Sequence, residues 1–218
     1  MVVGAWLTPP LLRCATALLV ASVPGLANPL QAQDNAWRLD VSGPVTYFIA
    51  EGSPDSGNRE GDRSLALWAL EAWGALADPA IRFEPAPEGS ATIRIYWVPA
   101  GGGLYGEMRA RRIEGRRGAD VFVRPDTDGL GPDISEMAQQ DPLFRDAIVY
   151  LTCVHELGHA FGLTHTRAFA DIMYSFQFGG DFVAYFRRFR DRLRDRESIP
   201  VASPFSAGDR ADFEVLYP

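Results

Sequence analysis

The chain contains three histidines, and all of them fall in the run His155-Glu156-Leu157-Gly158-His159-Ala160-Phe161-Gly162-Leu163-Thr164-His165. On a helix, residues four apart leave the same face one turn from each other, so His155 and His159 project side by side. That separation is the one two ligands of a tetrahedral Zn²⁺ require. Gly162 is free to take a left-handed conformation, which ends the helix and turns the chain sharply. The turn returns His165 as a third ligand and leaves the fourth position for water. Three neutral nitrogen ligands leave the ion its full double charge, which favours loss of a proton from that water. Glu156, next to the first ligand, is placed to take the proton and deliver it to a leaving amine. A single hydrolytic zinc site is therefore expected.

The surrounding sequence supplies the helix this motif needs. Asp141-Pro142 is a helix start, with a carboxylate cap and Pro at the first helical position, and the helix it opens runs to Phe161. Upstream, Val45–Ala50, Ile81–Glu84, Ala91–Val98, Glu107–Ile113 and Ala119–Arg124 read as strands, the last two around Glu114-Gly115. Arg63–Ala77 carries Leu65, Trp68, Ala72 and Leu76 at helical spacing and is stopped by Asp78-Pro79. Glycines at 101–103 form a mobile link, and Asp126–Asp133 reads as an acidic loop. A last helix starts at Ser206, with Asp209 three residues on as a variant capping box. With 218 residues and no internal repeat, one domain over residues 33–218 is expected.

Eight residues after His165 stands Met173, within Asp171-Ile172-Met173-Tyr174. The extended histidine motif followed by a methionine turn resembles the metzincin metallopeptidases, and the matrixin-like branch most of all. The resemblance extends to Trp73–Trp97, with Phe83, Ala91, Ile93 and Ile95, and to the ending Ser206, Asp209, Leu216 and Tyr217. It implies an α+β catalytic domain: a twisted mixed sheet above a cleft, a long active-site helix beneath, and a C-terminal helix. It further implies a zinc endopeptidase with His155, His159 and His165 as ligands, Glu156 as general base, Gly162 at the turn and Met173 as the structural methionine. Asp209 matches the family residue that bonds back to the methionine turn. Tyr174 directly follows Met173, so it does not match the zinc-binding tyrosine of astacins.

This sequence also departs from the family. No histidine remains for the second, structural zinc of vertebrate matrixins, and no cysteine-switch sequence precedes the domain. Ser175 replaces the usual proline. Residues 176–203 are an insertion in which Phe182, Tyr185, Phe186, Phe189 and Leu193 share one helical face over Asp181–Glu197. That stripe reads as a helix packed on the domain, or else as a wall of the substrate cleft. Ala119–Val123 is read, by analogy, as the edge strand on which an extended substrate pairs.

Residues 1–32 read as a secretory signal peptide, with the apolar run Ala15–Val23 after Arg13 and cleavage after Ala27 or Ala32. A secreted or periplasmic protein is expected, with no stable membrane span after cleavage. Only Cys153 would then remain, as a small core residue facing away from the metal, so no internal disulfide is available. A net charge of −7 argues against nucleic acid as the main partner. A protein or peptide substrate and a monomeric state are expected instead. Asp126, Asp128 and Asp133 are candidates for Ca²⁺, although their spacing completes no loop motif. The rival reading is a non-catalytic exported zinc-binding or adhesion protein. Glu156 separates the two, because a purely structural site needs the histidines but no adjacent carboxylate.

Overall fold

The computed structural model describes residues 38–99 and 105–218; the expected export segment (residues 1–32) and the glycines at 101–103 lie outside the described residues. Five strands, β1 (Val45–Ile49), β2 (Phe83–Pro85), β3 (Ile93–Trp97), β4 (Gly106–Ile113) and β5 (Arg116–Val123), form one sheet in the order β2-β1-β3-β5-β4. The first four in that order run parallel, and β4 runs antiparallel to β5. Parallel strands need crossovers. Helix α1 (Asp62–Gly74) supplies the one from β1 to β2. Ile93, Ile95, Val121 and Val123 are fully buried, as interior strands covered by helices require.

Beneath the sheet lie α1 and the long helix α3 (Pro142–Phe161), in close contact with each other. Asp141 caps α3 by accepting from the Leu143 and Phe144 N–H groups, and Gly162 ends it at φ 109°. Trp73 of α1, fully buried, donates its indole N–H to the Val154 carbonyl of α3 at 2.8 Å. Its ring also meets Phe161 and Phe213, the latter on the C-terminal helix α5 (Ala207–Leu216). Arg145 of α3 and Asp62 of α1, each 1% exposed, form a buried ion pair. Arg145 Nη2 is 2.7 Å from Asp62 Oδ2 and also faces the Gly57 and Pro125 carbonyls. The result is the α+β arrangement expected from the sequence.

Four expectations about elements change. Helix α1 stops at Gly74 rather than Ala77, because the Gly74 carbonyl accepts from the Ala77 and Ile81 N–H groups and bends the chain toward β2. The acidic stretch is not one loop: Pro132 opens a short helix, α2 (Pro132–Gln140), which buries Ile134 and Ala138. The inserted helix α4 (Phe182–Arg190) ends well before residue 197. Its stripe packs on the domain, with Tyr185, Phe186, Phe189 and Leu193 buried and Phe182 39% exposed. Finally, Ala119–Val123 is not an edge. β5 is paired on both sides, so the open edge belongs to β4.

Candidate metal centre

The last two turns of α3 and the reversal at Gly162 bring the three histidines together. His155 Nε2 lies 3.2 Å and His159 Nε2 3.1 Å from His165 Nε2. Ligand atoms about 2.0–2.1 Å from a tetrahedral zinc stand roughly 3.3 Å apart, so the three nitrogens have the spacing of one coordination sphere. Backbone carbonyls set the tautomers. A carbonyl can only accept, so His155 Nδ1–H donates to Ile172 O at 2.7 Å and His159 Nδ1–H to Leu163 O at 2.9 Å. Both rings therefore turn a hydrogen-free Nε2 toward the shared centre. Burial pushes His155 down to about 3 and lowers His159 and His165 as well, which keeps the imidazoles neutral, as ligands must be. The donor set fits a zinc ion.

Glu156 leaves α3 toward the start of β4 and is 7% exposed. Burial, then the negative charge of Glu107, push its carboxyl up to about 8, while Arg124 and the Met108 N–H pull the other way. A cation at the triad would also pull it down. Gly106 makes room for this carboxylate: a Cβ there would come within 2.5 Å of Glu156 Oε1. Gly158, one turn before Gly162, is likewise without space for a side chain, because Met173 Sδ and the Trp73 ring occupy it.

Met173 is fully buried in the turn beneath the histidines. The Ile172 N–H donates to both carboxylate oxygens of Asp209, at 3.0 and 2.9 Å, and the Met173 N–H to one of them at 3.4 Å. Asp209 also completes a capping box with Ser206 at the start of α5. Thr166, just after His165, donates its N–H to Met173 O at 2.9 Å and its hydroxyl to Asp171 at 2.7 Å. Asp171 also accepts from the Ser206 hydroxyl at 2.7 Å. Tyr174 uses its hydroxyl on the Gly179 carbonyl at 2.6 Å. Cys153 is fully buried in the core.

Among the described residues the histidine triad is the one group of three or more His, Cys, Asp or Glu side chains that converges. Asp126, Asp128 and Asp133 do not come together. The Asp126 carboxylate accepts from the Asp128 N–H, Asp128 accepts from the Ser135 hydroxyl, and Asp133 lies in the first turn of α2. Gly106, Gly158, Asp171 and Tyr185 were not singled out in the sequence for roles at the site. Gly158 did carry a signal, since a glycine inside a helix is unfavourable by about 1 kcal/mol relative to Ala without a packing reason.

Comparison with known proteins agrees with this geometry. Interstitial collagenase from Sus scrofa is 29% identical over 133 residues, covering 60% of this chain and 26% of the collagenase. Macrophage metalloelastase from Oryctolagus cuniculus is 28% identical over 140 residues, covering 63% of this chain and 28% of the metalloelastase. The chain thus spans about a quarter of the length of these curated relatives. The family model for matrixin matches residues 36–179, from before β1 to beyond the methionine turn. With the triad, the turn and the sheet all inside that match, the chain belongs to the matrixin family.

Proposed function

We propose that the chain is a zinc-dependent endopeptidase, with His155, His159 and His165 holding the ion and Glu156 handling the proton. The observation that carries this reading is the His155 and His159 Nε2 atoms lying within 3.2 Å of His165 Nε2, beside a buried carboxylate. A zinc ion held there supplies Lewis acidity, polarising the scissile carbonyl and acidifying a water. Glu156 accepts a proton from the attacking water and gives it to the leaving amide nitrogen. The Ile172 and Leu163 carbonyls keep His155 and His159 in the ligating tautomer, and Asp209 steadies the turn that carries Ile172 and Met173. A site built only to store zinc has no use for Glu156, which weighs against the non-catalytic reading.

The open edge of β4 is the proposed seat of the substrate. On β5, the Val123 carbonyl and the Ala119 N–H pair with the β3 side, while the Arg124 N–H donates to Tyr105 O. In an antiparallel ladder this alternation turns the Met108 C=O and the N–H and C=O groups of Ala110 outward, while the Met108 N–H faces Glu156. An extended peptide laid along them gains main-chain hydrogen bonds whatever its side chains. Residues 1–32 are proposed as an export signal that leaves the 33–218 domain outside the cytoplasm. No helix of the described residues is long and apolar enough to cross a membrane.

The test is digestion of a broad peptide library by the purified protein, with and without a zinc chelator. Cleavage that the chelator abolishes and added zinc restores is the expected result. No cleavage by zinc-loaded protein would favour the non-catalytic reading.

A further inference from the structure

We infer that Tyr185, on the inserted helix α4, is a positioning residue for the metal centre. This rests on the proposed reading of the triad as a zinc site. The helix is anchored on α3 away from the histidines: Phe189 stacks on Tyr150 with ring centres 5.4 Å apart, and Arg190 Nε is 2.6 Å from Asp141. Tyr185, one turn earlier and 3% exposed, sets its hydroxyl 3.1 Å from Ile172 O and 3.2 Å from Asp171 O. Ile172 O is the same atom that accepts the His155 Nδ1–H. A carbonyl oxygen has two lone pairs, and at Ile172 one faces the ligand histidine and the other the tyrosine.

Arg188 completes the brace. Its guanidinium lies over the Tyr185 ring at 4.0 Å and donates to the Phe169 and Asp171 carbonyls, the latter at 3.3 Å. From the opposite side Asp209 takes the Ile172 and Met173 N–H groups. The peptide units around Ile172 are thus held by N–H acceptors on one side and carbonyl donors on the other. The direction of the Ile172 carbonyl fixes the imidazole plane of His155, and so the aim of its Nε2. The insertion, read from the sequence as packing or a cleft wall, reaches the metal centre through one hydroxyl.

Packing needs the Tyr185 ring, whereas positioning needs its O–H, and Tyr185→Phe removes only the latter. Zinc affinity is measured on the full domain by competition with a chromophoric chelator, alongside the melting temperature of the metal-free protein. Loss of a partner that orients a ligand histidine typically costs about 10–100-fold in metal affinity, and a loss in that range is expected for Tyr185→Phe. Phe189→Leu serves as the control. It loosens α4 on Tyr150 without touching Ile172, so it should lower the melting temperature and leave zinc affinity at the wild-type value. Wild-type zinc affinity in Tyr185→Phe overturns the inference, as does Phe189→Leu weakening zinc as much as Tyr185→Phe does. Wild-type protein that takes up no zinc overturns the triad reading, and this inference with it.

Discussion

The Ile172 and Leu163 carbonyls each accept an imidazole Nδ1–H, so two of the three histidines reach the centre with a bare nitrogen before any ion arrives. Glu156 depends on a neighbour in a different way: its carboxylate occupies space that any side chain at residue 106 would fill. Substituting Gly106→Ala puts a methyl group against the flexible end of Glu156, so the protein should fold and bind zinc while the carboxylate is displaced. A shift of about 1 Å in a catalytic group can cost 10²-fold, and turnover should fall by about tenfold or more. Unchanged kcat with full zinc content would show that Glu156 tolerates the displacement. At this scale much was legible in the sequence, because the spacing of His155, His159, Gly162 and His165 is local helix geometry. Tyr185 was not, since its partner Ile172 is set by tertiary packing. The stripe on α4 shows which face is buried, not which carbonyl waits beneath it.

Helix α3 is fixed at both ends by its own sequence, and its cap, its proline and its terminating glycine were all readable. Its attachment to α1 was not. The Arg145–Asp62 pair joins residues 83 positions apart, and neither residue stands out in a chain whose 21 basic residues are all Arg. Removing one partner of a buried ion pair leaves an uncompensated charge, at a cost of about 3–5 kcal/mol. Asp62→Asn should therefore lower the melting temperature markedly, and a melting temperature equal to wild type would show that Arg145 finds other partners. The order of β5 and β4 had a signal in composition. Ala119, Val121 and Val123 give β5 one fully buried apolar face, as suits an interior strand, whereas the Arg-rich β4, with Arg109 and Arg112 exposed, suits an edge. That contrast in composition marks β4, not β5, as the edge.

Across the whole molecule, sheet, long helix and C-terminal helix meet around the site rather than beside it. β4 overhangs Glu156, α3 carries His155 and His159, and α5 supports the methionine turn through Asp209. That convergence explains why an α+β fold could be expected from one motif and its flanking elements, while strand order and the role of the insertion required the assembled structure. In the proposed function, Glu156 moves the proton at a zinc site built from the three histidines. Glu156→Gln keeps size and hydrogen bonding and removes the base, so zinc content and melting temperature should match wild type. General acid–base catalysis contributes about 10²–10⁴-fold, or roughly 3–5 kcal/mol of barrier. The decisive measurement is peptide turnover by zinc-loaded Glu156→Gln beside wild type. Turnover should fall at least about a hundredfold with zinc retained, and a variant keeping more than about a tenth of wild-type turnover would exclude Glu156 as the base.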